Sequence, residues 1–252
     1  MVLERCLFYN QLMIVVKDFI SILEQWAPLE LAESWDNVGL QIGGKDLPVS
    51  EVVIAMDADD SVLSYLHGKK YVFVITHHPL FFKPLSQLLY DQDMGRVIQT
   101  FIQGQHSLYS AHTNLDAATG GVNDSLILQY GLEPEKGTLI QRNFGRYFTG
   151  LQLAFSDLLT CVPCKREGSM LDDDCHSIAF CCGSGHGFIQ DVIELGCDTL
   201  VTGEITYHDH LKCQMNGVRV LSLGHKESEV FVLPIIKARL LDFFPELTCT
   251  VL

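Results

Sequence analysis

Short unbroken apolar runs recur along the chain, separated by stretches with helical spacing. The runs cover 52–56, 71–75, 107–111, 151–155, 177–182, 199–201 and 219–223. Most are rich in β-branched residues and lack the apolar-polar alternation of a half-wet strand, so they predict strands buried on both faces. Residues 94–103, 122–129 and 188–195 predict helices, as does the amphipathic spacing of Val15, Ile20, Leu23 and Trp26. Alternating strand and helix predicts an α/β fold with mixed, mostly parallel sheets. Residues 28–44, centred on Trp35-Asp36-Asn37-Val38-Gly39, predict loop and turn, and 166–176, with Gly168, Ser169 and three consecutive aspartates, predicts an exposed, mobile loop. Residues 71–78 and 199–208 echo each other, each an apolar run leading into a Thr-containing, His-rich turn. The echo predicts two similar α/β halves, 1–135 and 136–252, flanking a cleft.

Composition narrows the function classes. The chain is 48% hydrophobic and 19% charged, which supports a globular core. A net charge of −14 argues against direct nucleic-acid binding and requires a cationic pocket for any anionic substrate. The nine cysteines are odd in number, and Cys181-Cys182 lie adjacent in a buried run, so a reduced, cytoplasmic protein is expected. Cys161-Val162-Pro163-Cys164 has redox or zinc-knuckle spacing but no second such pair, so no function is assigned to it. The apolar run 12–16 is interrupted by Lys17 and Asp18 and falls short of the ~20 residues of a membrane span, so neither a span nor a targeting signal is expected.

The histidines carry the chemistry. His77 and His78 follow the run 71–75; His112 follows 107–111, with Asp116 four residues on; His225 follows 219–223, with Glu229 four residues on. Open α/β sheets place their ligands at such C-terminal strand ends. A spacing of four puts both side chains on one face if the segment turns helically, and imidazole beside carboxylate is half of a borderline metal site. Six such groups exceed the needs of one tetrahedral ion. They suit two divalent ions that clamp a substrate oxygen and activate water. Glu204 and His208, in Thr202-Gly203-Glu204-Ile205-Thr206-Tyr207-His208-Asp209, are candidates for acid-base catalysis or for holding a ligand histidine. Gly183-Ser184-Gly185 reads equally as a phosphate cradle or a tight turn.

These motifs resemble one family over nearly the whole chain. Residues 23–43, Thr76-His77-His78-Pro79-Leu80-Phe81, Ser110-Ala111-His112-Thr113-Asn114-Leu115-Asp116, Gly183-Ser184-Gly185, residues 202–209 and Gly224-His225-Lys226-Glu227-Ser228-Glu229 are similar to the Nif-three-like proteins, also labelled GTP cyclohydrolase I type 2 homologs. The resemblance implies two α/β halves around a central dinuclear metal-binding cleft, in the short form without an inserted domain, assembled as a homohexameric ring. It implies His77, His78, Asp116, His225 and Glu229 as ligands, with Glu229 bridging and His112 either a ligand or one layer behind. Lys226 departs from the aromatic residue usual there. Zinc, iron and manganese all suit such donors. The expected function is a metal-dependent hydrolase acting on a nucleotide or phosphoester. The alternatives are a non-catalytic, ring-shaped regulatory protein with structural metals, and a metal-delivery protein.

Overall fold

A strand buried on both faces needs hydrogen-bonded neighbours on both edges, and the apolar runs meet that need by pairing with one another. The computed structural model describes residues 14–163, 165–167 and 174–252. These pack as two compact units. The first comprises the described residues up to Gln25, Trp35–His112 and Lys237–Leu252; the second comprises Trp26–Ser34 and Thr113–Ile236.

The first unit holds α1 (Val16–Trp26), β1 (Gly39–Ile42), β2 (Glu51–Ala55), α2 (Asp60–Leu66), β3 (Val72–Thr76), α3 (Asp93–Gly104), β4 (Ser107–Ser110) and a final strand, Cys249–Val251. The sheet order is β1-β4-β3-β2 followed by the final strand. β2, β3 and β4 run parallel, with Ile54 opposite Ile75 and Ile75 opposite Tyr109. The final strand extends the ladder parallel to β2, and β1 closes the other edge antiparallel to β4. On one face, Val53, Val74 and Leu108 pack against Val62 and Leu66 of α2 and Phe101 of α3. On the other, Phe73 meets Phe19 of α1 at a centroid distance of 5.4 Å, and Phe19 meets Phe244 at 4.9 Å. Asp59 starts α2 by accepting from the Ser61 and Val62 amides, which satisfies two orphan donors of the first turn. The expected loop 28–44 contains a 3₁₀ turn, Leu29–Leu31, and the strand β1. That edge strand is only four residues long, and its partner β4 supplies the hydrogen bonds.

The second unit holds α4 (Thr113–Ala117), α5 (Val122–Gln129), β5 (Thr138–Ile140), β6 (Gly145–Ala154), α6 (Phe155–Cys161), β7 (Lys165–Glu167), β8 (Asp174–Ser184), α7 (Ile189–Glu194), β9 (Thr199–Glu204), α8 (Tyr207–Met215), β10 (Arg219–Ser222) and α9 (His225–Glu229). The chain then enters α10 (Val232–Phe243). The sheet order is β5-β6-β8-β9-β10-β7. β8, β9 and β10 are parallel, and the flanking strands are antiparallel. The apolar run 151–155 is the end of β6, and Phe155 opens α6. Part of the stretch expected as mobile loop, 166–176, is strand instead: Arg166 pairs with Leu221 across β7 and β10, and Asp174 opens β8. Polar residues suit β7 because it is an edge strand. Positions 168–173 and Cys164 lie outside the described residues. The seven described cysteines are all free thiols. Among the described residues, no helix is long and apolar enough to cross a membrane.

α5 is buried from Val122 through Ile127, so its polar side chains need internal partners. Asp124 has one in Arg146 of β6: Nε donates to Oδ1 at 2.5 Å and Nη2 to Oδ2 at 3.0 Å, with the side chains 5% and 7% exposed. The Gly120 amide donates to the same carboxylate at 2.7 Å. Breaking a buried pair leaves an uncompensated charge. Arg146→Ala is expected to cost about 3–5 kcal/mol in urea unfolding, and the double change Arg146→Met with Asp124→Leu much less. Equal losses in the two variants would show that the charge is not what the pair satisfies.

His106 gives the first unit a pH dependence. Gln105 ends α3 in the left-handed region (φ 53), which turns His106 back so that its amide reaches the Phe101 carbonyl at 2.9 Å. Its Nδ1 accepts the Val72 amide at 3.1 Å, and its Nε2 lies so close to Gly104 that an added Cβ there would stand 1.9 Å away. Burial pushes its pKa below 6.5, outweighing the nearby Glu51 carboxylate, which raises it. The unfolded chain therefore takes up a proton that the folded ring resists. Stability is full above pH 6.5 and falls as the pH drops below it. Thermal melts from pH 7.5 to 5.5 are expected to show this loss, and His106→Asn to reduce it. An unchanged slope in the variant would assign the loss to other groups.

Candidate metal centre

The parallel strands of the first unit deliver its histidines. The His77 amide donates to the Ala55 carbonyl at 3.2 Å and the His78 amide to Met56 at 2.9 Å, so the ladder of β2 and β3 continues through both residues. The Ala111 amide donates to the Thr76 carbonyl at 2.9 Å, which brings His112 alongside. The rings of His77, His78 and His112 stand 5.0, 5.1 and 5.7 Å apart, and one nitrogen from each falls within 4.8 Å of the others.

Oxygen acceptors set the tautomer of all three rings. His77 Nδ1 bonds the Ala111 carbonyl at 2.8 Å, His78 Nδ1 bonds Asp57 at 2.8 Å, and His112 Nδ1 bonds Asp36 at 2.9 Å. A carbonyl or an ionised carboxylate can only accept, so Nδ1 carries the proton and Nε2 is the Lewis base. Metal-ligating histidines are held this way. His77 is fully buried, and the Asp36 side chain is 0% exposed. Three imidazoles so arranged suit a borderline divalent cation such as zinc, iron or manganese.

In the second unit, His225 and Glu229 are the first and last residues of α9, and His225 Nε2 lies 3.5 Å from Glu229 Oε1, as a spacing of four on a helix requires. His225 Nδ1 bonds Glu204 Oε1 at 3.0 Å, the same pattern again. Glu229 is 3% exposed. The end of β8 makes room for it: Gly183 has φ +60, and an added Cβ would stand 2.4 Å from Glu229 Oε1 and 3.3 Å from His225 Nε2. Ser228 ties α9 to this turn, donating to the His225 carbonyl at 2.7 Å and accepting the Gly183 amide at 2.9 Å. Asp116 lies on α4, and Asn123 of α5 donates to its carbonyl at 3.2 Å while accepting the Cys182 amide at 2.9 Å. Burial pushes the Cys181 and Cys182 thiols well up, and the Asp116 and Glu229 carboxylates push in the same direction. Both therefore stay protonated.

Of the two candidate acid-base residues, Glu204 bonds a candidate ligand histidine, whereas His208 is exposed on α8 with its ring edge-on to Tyr207 at 5.5 Å. In the Gly183-Ser184-Gly185 segment, Gly183 and Ser184 end β8 and Gly185 leads into a 3₁₀ turn, His186–Phe188; an added Cβ on Gly185 would stand 2.4 Å from Thr202 Oγ1. Sequence reasoning passed over Asp36, Asp57, Asn123 and Ser228. Asp57 carried a signal, since it follows the apolar run 52–56 as His77 follows 71–75. It also passed over His186, whose Nδ1 bonds Asp209 at 2.6 Å. Burial pushes the Asp209 carboxyl up, but bonds from Thr206 and His186 hold it below its ordinary value.

The Duf34/NIF3 (NGG1p interacting factor 3) family model matches residues 14–252. A GTP cyclohydrolase 1 type 2 homolog of Clostridium perfringens is 31% identical over 228 residues, covering 85% of this chain and 86% of that protein. NIF3-like protein 1 of Drosophila melanogaster is 29% identical over 236 residues, covering 87% and 78%. The solved structure of reduced HcgD from Methanocaldococcus jannaschii matches with a TM-score of 0.83 at 28% identity, covering 95% of this chain and 98% of that one. On a family match that spans every described residue, this chain belongs to the Duf34/NIF3 family.

Proposed function

We propose that His77, His78, His112, Asp116, His225 and Glu229 would hold two divalent metal ions, and that the protein is a metal-dependent hydrolase of a nucleotide or phosphoester. The observation that carries this reading is the orientation of the imidazoles. Each of the four has Nδ1 engaged by an oxygen acceptor, which fixes the tautomer that makes Nε2 the ligating nitrogen. The names of relatives such as the GTP cyclohydrolase 1 type 2 homolog point to a nucleotide. Bound ions would act as Lewis acids toward a carbonyl or phosphoryl oxygen and would reverse the local field of a chain with net charge −14. The chain's own residues do the positioning. Asp57, Asp36 and Glu204 orient His78, His112 and His225, and the Ala111 carbonyl orients His77. Glu204 and His208 are both exposed, and they are the proposed acid-base residues. The resemblance further supports a homohexamer, and the cysteine pattern a cytoplasmic location.

The metal content of the wild type, by elemental analysis, is expected near two ions per chain. His78→Ala and Glu229→Ala are each expected to lose ions while keeping the wild-type circular dichroism. Asp57→Ala is expected to weaken metal affinity about 10–100-fold. Turnover is measured beside it with GTP and with a panel of nucleotides and phosphodiesters. If metal is bound but nothing is turned over in a metal-dependent way, the hydrolase reading fails and a structural or carrier role replaces it.

Gly183→Ala tests the pocket around Glu229. The added methyl meets the Glu229 carboxylate and forces a left-handed backbone on alanine. The variant is expected to retain less metal than Gly196→Ala, a control with positive φ (65) and nothing within 4 Å of an added Cβ. Equal metal content in the two variants would assign the effect to the backbone alone.

A further inference from the structure

Trp35 is 56% exposed and Phe82 55% exposed, and their ring centroids are 5.6 Å apart with planes 38° from each other. Both stand edge-on to His112, at 6.2 and 6.1 Å. They line a concavity of about 500 Å³ with Asn37, Lys83, Pro84 and Leu85. That volume falls within the ~300–1,000 Å³ of small-molecule sites.

The two ring-bearing loops are tied together. The Asn37 side-chain amide donates to the Phe81 carbonyl at 2.7 Å. Gln41 Oε1 accepts the Leu80 and Phe81 amides at 2.8 and 3.2 Å, and its Nε2 donates to the Asn37 carbonyl at 2.7 Å. Asp36, next to Trp35, bonds His112 Nδ1. Trp35-Asp36-Asn37 therefore has one residue displaying an aromatic face, one holding a candidate ligand, and one holding the opposing loop. A lining that includes the rings of Trp35 and Phe82, a lysine and an amide suits a flat, polarisable ring that carries an anionic arm.

We propose that Trp35 and Phe82 form a stacking platform for the heterocycle of a nucleotide, with Lys83 facing its phosphate. This rests on the nucleotide reading above and names the residues that would hold the base. Aromatic stacking tolerates any base, because every base offers a π face.

Binding is measured on the full-length protein by titration calorimetry with three probes: guanosine 5′-monophosphate, guanosine and ribose 5-phosphate. Both nucleobase compounds are expected to bind, and ribose 5-phosphate to bind at least tenfold more weakly. Trp35→Ala and Phe82→Ala are each expected to weaken the nucleotide about tenfold with unchanged metal content and circular dichroism. Lys83→Ala is expected to weaken the nucleotide but not guanosine. Nucleotide affinity untouched by both aromatic variants overturns the proposal, as does ribose 5-phosphate binding as tightly as the nucleotide. Unchanged affinity with an altered mass by light scattering would make the pair a contact between copies of this chain. Binding is read without turnover, so an inactive wild type that still stacks the base would sink the hydrolase reading and leave the platform standing.

Discussion

A histidine set at the end of a buried parallel strand has two ring nitrogens, and only one of them carries the proton. The partner of that N–H decides where the other nitrogen points. In this chain the partner is an oxygen at every candidate ligand histidine: a carbonyl for His77 and carboxylates for His78, His112 and His225. Of these carboxylates, that of Asp36 costs burial energy, since its side chain is fully enclosed. That cost is offset by charge-assisted bonds, which are stronger than neutral ones. The arrangement of the candidate centre follows from these contacts more than from the histidines themselves.

The same logic governs the surrounding frame. A glutamate as buried as Glu229 needs space and support. Gly183 supplies the space by lacking a Cβ, and Ser228 supplies the support by joining α9 to the end of β8. Behind them, α5 is buried almost throughout, and Asn123 and Asp124 are tolerable there because each finds internal partners. The region holding Asp116, Cys182 and Glu229 is thus braced by hydrogen bonds as well as by apolar packing. Its two cysteines remain neutral filler.

Linear pattern was enough for the parallel cores, because strands buried on both faces are continuous apolar runs. It was enough for the four-residue spacing of His225 and Glu229, which the helix α9 turns into a 3.5 Å approach. It also placed His77, His78 and His112 at strand ends, where side chains converge in open sheets. Residue type and spacing are local properties, and these features depend on local geometry.

Tertiary structure alone decided the rest. The edge strands β1 and β7 are only four and three residues long, and a neighbouring strand supplies their hydrogen bonds. The segment Lys237–Leu252 joins the first unit, with the last strand beside β2, a pairing across most of the chain that no short-range signal encodes. Asp36 and Asp57 reach His112 and His78 from 76 and 21 residues away. Trp35 and Phe82 meet only because Gln41 and Asn37 bind the two loops together. A contact between distant residues depends on how the whole chain packs, so sequence showed which groups could do chemistry and packing decided how each is aimed.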